Sequence, residues 1–137
     1  MEQEKTEQFS FLLGMIQQLN DLFGGRESEI GVRVFVEFSQ VFLNTIDERM
    51  GTLATAARNK DHAQIHLLSH QLRGSLRTLG AHTLADTCMT MEDGARLTAD
   101  MDYEGKLEEM TDQIPVLKSE LAAFLRTLPS TSAPPEG

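Results

Sequence analysis

The fold turns on one stretch of sequence, Tyr103-Glu-Gly-Lys-Leu-Glu-Glu-Met-Thr-Asp-Gln-Ile-Pro-Val-Leu-Lys-Ser-Glu-Leu-Ala-Ala-Phe-Leu-Arg-Thr-Leu128. Within it Tyr103, Leu107, Met110, Ile114, Leu117, Leu121, Phe124 and Leu128 recur alternately four and three residues apart. On a helix of about 3.6 residues per turn, that spacing holds one apolar seam toward its neighbours, as in a helical bundle. Pro115 interrupts the run. It lacks an N–H and crowds the preceding turn, so it is expected to kink the helix or divide it near Ile114.

Upstream the same periodicity recurs and almost nothing alternates apolar with polar. A first helix is expected over about residues 3–23, with Phe9, Leu12, Leu13, Ile16, Leu19 and Phe23 on its stripe and Gly24-Gly25 ending it. Ser28 can cap a second helix carrying Phe35, Phe38, Phe42, Ile46, Met50 and Leu53, broken at Asn59-Lys60. Asp61 followed by Gln64 resembles a capping box and opens a third helix that Gly80 ends. Thr83 with Asp86 can cap a fourth, whose stripe is Leu84, Cys88, Met91 and Ala95. The expected fold is all-α: an antiparallel up-down four-helix bundle over residues 28–128, with the helix at 3–23 covering one end or one groove. Pro129 to Gly137 is small, polar and proline-rich, and reads as a disordered tail.

Composition narrows the function. The chain has 137 residues and a formal net charge of −9, enough for one domain with a real core and a poor match to nucleic acid or an anionic membrane. The single cysteine, Cys88, excludes an internal disulfide framework and a multi-cysteine zinc site and suits a reducing compartment. No secretion signal is visible at the N-terminus and no stretch approaches the roughly 18 apolar residues of a membrane span. A free-standing, monomeric cytoplasmic protein is expected.

The chemistry concentrates on the third helix. Ile65, Leu68, Leu72, Leu76 and Leu79 share one sector, and His70 projects about 160° from their mean direction, almost opposite the core. His66, Leu67, Arg73, Gly74 and Arg77 lie on the same outward face, with His62 at its margin. Gly74 stands one turn beyond His70, inside a helix, where glycine costs about 1 kcal/mol relative to alanine. A bare backbone there lets a large partner reach the imidazole. Arg73, three residues after His70, can meet an anion attached to the ring. Two blander readings stand beside this one. Exposed histidines are commonly just solvated, which would leave a helical adaptor that transfers nothing. His62, His66 and His70 also form an i, i+4, i+8 ladder of the kind that can ligate zinc or copper, although no Glu-x-x-His motif accompanies it.

The run Leu68-Ser69-His70-Gln71-Leu72-Arg73-Gly74-Ser75-Leu76-Arg77-Thr78-Leu79-Gly80-Ala81 closely resembles the signature of histidine-containing phosphotransfer (HPt) domains, roughly Ala-His-x-Leu-Lys-Gly-Ser followed five residues later by Gly-Ala. Ser69 replaces the common alanine and Arg73 the commoner lysine. Leu22 to Gly25, the phenylalanine-rich stretch from Phe38 to Leu53, and Cys88-Met-Thr-Met-Glu92 resemble further family elements, so about residues 20–128 are covered. In the related phosphotransfer domain of chemotaxis kinases, a glutamate at the position of Glu92 interacts with the histidine, and that family's additional histidine falls at Met89. Histidine-kinase dimerisation domains carry Glu or Asp after their histidine and a proline close behind. Gln71 follows here, with no nearby proline.

The resemblance implies a phosphorelay intermediate without kinase activity of its own. His70 would accept a phosphoryl group from a receiver phosphoaspartate and donate it to an aspartate on another receiver, connecting a hybrid sensor kinase with a response regulator. Arg73 would steady the phosphoryl group, while His66, Leu67, Gly74, Arg77 and Glu92 would meet the partner. The chain has no Gly-rich phosphate loop to bind ATP and no carboxylate cluster for magnesium, so Mg²⁺ is expected on the receiver and no intrinsic cofactor or metal on this chain. Imidazole is a competent nucleophile at neutral pH without an activating base.

Overall fold

The computed structural model describes the backbone of residues 2–129 and the side chains from Phe11 to Pro129. Five helices follow one another: α1 (Glu2–Phe23), α2 (Glu29–Arg58), α3 (His62–Thr78), α4 (His82–Arg96) and α5 (Tyr103–Thr127). Among the described residues there is no strand. The alternating seam of α5 is buried along its whole length, from Tyr103 to Phe124, and continues into Leu128. Each such aliphatic or aromatic side chain removed from water contributes roughly 1.5–3 kcal/mol. Helices α2, α3, α4 and α5 close a ring, each packed on the next and α5 back on α2, with α3 and α4 the most extensive pairing. The architecture is the expected four-helix bundle with an additional N-terminal helix. Among the described residues no helix is long and apolar enough to cross a membrane.

Local chemistry sets the helix ends. The Ser28 hydroxyl accepts from the Gly31 N–H at 3.0 Å, and the Asp61 carboxylate accepts from the Gln64 N–H at 3.3 Å. Asp61 gives its own N–H to Ala56 O, so only half of the capping box forms. At the end of α3, Gly80 takes φ +82°; its N–H bonds Arg77 O and the Ala81 N–H bonds Leu76 O. These two bonds close a Schellman turn.

Three expectations are corrected. Helix α4 starts at His82 with Ala81 as its N-cap and no side-chain cap. The Schellman turn delivers the chain directly into the helix, and Thr83 falls in its first turn. Of the two outcomes expected at Pro115, a kink or a division, division does not occur, and helix α5 runs on through it. Pro115 is exposed, and so is Thr111, whose carbonyl loses its partner to the proline, so water can serve it. The buried face of α1 is Phe11, Met15 and Leu19, whereas Leu13 is 61% and Ile16 39% exposed. Leu12 and Phe23 are half-buried; the side chain of Phe9 lies outside the described residues. The cause is a backbone approach: a Cβ on Gly14 would strike the Gly80 carbonyl, and one on Gly80 the Gly14 carbonyl. Gly14 must therefore face the α3–α4 turn, which rotates Phe11, Met15 and Leu19 inward. The expected tail lies outside the described residues beyond Pro129.

Candidate functional site

Helix α3 is held on its inner side by Ile65, Leu72 and Leu76, with Ser69 also fully buried and Leu68 only half-buried. That leaves His70 on the open side, its side chain 59% exposed. Helix α4 lies alongside and delivers Glu92, which is 8% exposed, beneath the imidazole. Glu92 Oε2 lies 2.8 Å from His70 Nδ1, and Arg73 Nε donates to Glu92 Oε1 at 2.8 Å. Arg73 Nη2 reaches Glu92 Oε2 at 3.4 Å and stands 3.0 Å from His70 Nδ1.

The protonation pattern follows from these contacts. Burial raises the Glu92 pKa, but hydrogen bonds from Arg73 and His70 and the Arg73 charge outweigh it and hold the carboxyl below its ordinary value. The carboxylate has no proton to give, so the proton in the 2.8 Å contact belongs to His70 Nδ1. Oε2 then accepts from both His70 Nδ1–H and Arg73 Nη2, and His70 Nε2 carries a free lone pair.

The other sequence-predicted residues divide around this centre. Gly74 is exposed, and a Cβ there would meet nothing within 4 Å, so no packing explains this glycine. Leu67 is 47% exposed and Arg77 is exposed. His66 is half-buried, and its Nδ1–H donates to the Glu92 carbonyl at 3.2 Å. Arg73 is mostly covered, its side chain 20% exposed and its guanidinium committed to Glu92. Glu92 lies under the open face rather than on it, because α4 packs closely on α3. That corrects its expected position among residues a partner touches.

Sequence periodicity missed Arg49, whose Nη1 donates to Ser75 Oγ at 3.2 Å and ties α2 to the turn beside Gly74. Nothing local marks it; the pairing needs the packed bundle. Cys88 is fully buried, and burial pushes its thiol up to about 12, against the opposing charges of Arg49 and Arg73. It is no nucleophile. Among the described residues no group of three or more His, Cys, Asp or Glu side chains is arranged to hold a metal.

An exposed imidazole with an oriented ring, beside an open mid-helix glycine on a four-helix bundle, coincides with a family match. The family model described as Hpt domain matches residues 37–127. The chain belongs to the Hpt family. No match was found among curated proteins or among solved structures. Hpt domains perform histidine phosphotransfer in phosphorelays and interact there with receiver domains. The matched region of this Hpt domain runs from α2 to the end of α5 and contains His70, Arg73, Gly74 and Glu92; α1 lies outside it.

Proposed function

We propose that His70 accepts a phosphoryl group from the phosphoaspartate of one receiver domain and passes it to an aspartate of another. The observation that carries this reading is the imidazole, 59% exposed, whose Nδ1–H is held by Glu92 at 2.8 Å, which leaves Nε2 as its bare nitrogen. The Nε2 lone pair attacks phosphorus, the N–P bond forms as the acyl-phosphate P–O bond breaks, and the aspartate leaves as carboxylate. The proton on Nδ1 stays, the ring becomes cationic, and the Glu92 carboxylate balances it. The return step reverses this on the second receiver. Arg73 holds Glu92 in position, with Nη2 near the ring to offset phosphoryl charge. Gly74 leaves room for the receiver, and His66, Leu67 and Arg77 border that opening. The Mg²⁺ that phosphoryl transfer needs belongs to the receiver's acidic site in this scheme. The two receivers are those of a hybrid sensor kinase and a response regulator.

The test is transfer from a receiver domain loaded with acetyl phosphate. Wild type and His66→Ala should gain an acid-labile label and His70→Ala none, with only a modest drop in melting temperature, since Glu92 loses the ring's hydrogen bond but keeps Arg73. Label on His70→Ala, or none on wild type, refutes the assignment.

A further inference from the structure

The two histidines on the open face of α3 share an unusual feature: both give their Nδ1–H to the same residue. His66 donates to the Glu92 backbone carbonyl at 3.2 Å and His70 to the Glu92 carboxylate at 2.8 Å. Both rings are thereby held in the tautomer whose bare atom is Nε2, the 2.8 Å contact with the carboxylate prevailing over the 3.0 Å approach of Arg73 Nη2 to the same His70 nitrogen. Four residues apart on a helix, two imidazoles lie on one face at the spacing from which helices hold a metal ion. Metal-binding histidines almost always pass their other ring N–H to a carbonyl or carboxylate, which orients the ring and raises its basicity. Here both outer partners are already in place, one of each kind. The third member of the ladder is not available, since His62 packs edge-to-face on Tyr103 with ring centroids 5.8 Å apart. The Arg73 guanidinium opposes a cation, and its ion pair with Glu92 offsets that charge in part.

We propose that His66 and His70 chelate one divalent transition-metal ion of the zinc class through their two Nε2 atoms, with water filling the remaining positions. Imidazole nitrogen suits Zn²⁺, Cu²⁺ and Ni²⁺, and the two rings donate lone pairs without releasing a proton. A metal on His70 Nε2 occupies the atom that would take the phosphoryl group, so metal and phosphoryl group exclude one another. This exclusion rests on the phosphoacceptor reading of His70; the chelation does not.

The experiment titrates ZnCl₂ into the full chain, followed by calorimetry and by the ring resonances of the histidines. Saturable one-to-one binding is expected, with the His66 and His70 signals shifting together and those of His62 and His82 unmoved. His66→Ala and, as a second variant, His66→Gln should each lose the joint site. Glu92→Ala should weaken it about 10–100-fold by removing the outer partner of His70. Undiminished binding by both His66 variants, or shifts centred on His62 or His82, overturns the chelate. For the exclusion, protein phosphorylated with phosphoramidate is desalted and titrated again; retained zinc binding by the phosphorylated form overturns it. Failure of phosphoramidate to label His70 in metal-free buffer would instead overturn the phosphoacceptor reading, and the exclusion with it, while the ring shifts still decide the chelate.

Discussion

Gly74→Leu separates access to His70 from stability of the fold, and the two effects should move in opposite directions. Glycine in a helix interior costs about 0.8–1 kcal/mol relative to alanine, and leucine ranks close to alanine. A Cβ at position 74 meets nothing within 4 Å, so no clash offsets the gain. The variant should be stabilised by about 0.5–1 kcal/mol, raising the melting temperature by roughly 2–5 °C for a chain of this size. Helical side chains lean toward the N-terminus, so leucine at 74 leans over the turn that carries His70, their Cβ atoms about 5–6 Å apart. A receiver kept about 1 Å from its reactive geometry loses on the order of 100-fold in rate. Gly51 supplies the control: it too is exposed within a helix with nothing within 4 Å, and Gly51→Leu should give the same stabilisation without the loss. Thermal unfolding reads the first effect and single-turnover transfer from a phosphorylated receiver the second. Phosphoramidate, small enough to pass the leucine, should label both variants as it labels wild type. Undiminished receiver transfer in Gly74→Leu, or a lowered melting temperature, would refute the access argument.

Arg73→Ala should slow receiver transfer more than Arg77→Ala and cost about 1–3 kcal/mol of stability, because it leaves the buried Glu92 carboxylate without its guanidinium. Exposed Arg77 should cost within about 0.5 kcal/mol, and equal defects across a salt series would sink the division of roles. At the α1–α5 interface, both Glu120 oxygens are buried without a hydrogen-bond partner among the described residues, in a groove of about 560 Å³ that Arg26 also lines. Burial pushes the Glu120 pKa up to about 7, with the Leu12 backbone drawing it the other way. A carboxyl raised in the folded state is protonated there while the unfolded chain ionises, so stability should fall by about 1–3 kcal/mol as pH rises from about 4.5 to 7. Glu120→Gln should remove that fall in denaturant titrations across pH; an unchanged pH profile would show that Glu120 does not titrate in this range.

The α5 seam, the Ser28 and Asp61 caps and the outward direction of His70 were legible because each depends on residues within a few turns of one helix. Side-chain periodicity and capping are local, and local rules hold when nothing distant competes. Gly74 was legible for the same reason: a glycine on the exposed face of a helix is anomalous whatever the helix packs against. The face of α1 was not. Apolar residues lie on both sides of it: the expected stripe holds Phe9, Leu12, Leu13, Ile16, Leu19 and Phe23, of which Leu19 is buried as expected, while Phe11 and Met15 stand just off it, so periodicity could not place the buried face. The passage of Gly14 over the Gly80 turn chose instead. The same limit explains Pro115, whose cost depends on whether water can reach the freed carbonyl.

By itself, then, the sequence determined that the chain forms an all-α bundle with a histidine, an arginine and a bare glycine along one open helix face. Only the tertiary structure decided what that histidine is. Twenty-two residues of chain separate His70 from Glu92. Only the packing of α4 against α3 brings the carboxylate under the ring, puts Arg73 on the carboxylate rather than in open solvent, and gives the Glu92 carbonyl to His66. The tautomer of an imidazole, and hence which nitrogen can attack or coordinate, is set by whatever stands at its other nitrogen. That neighbour comes from another helix, so no property of α3 alone could specify it.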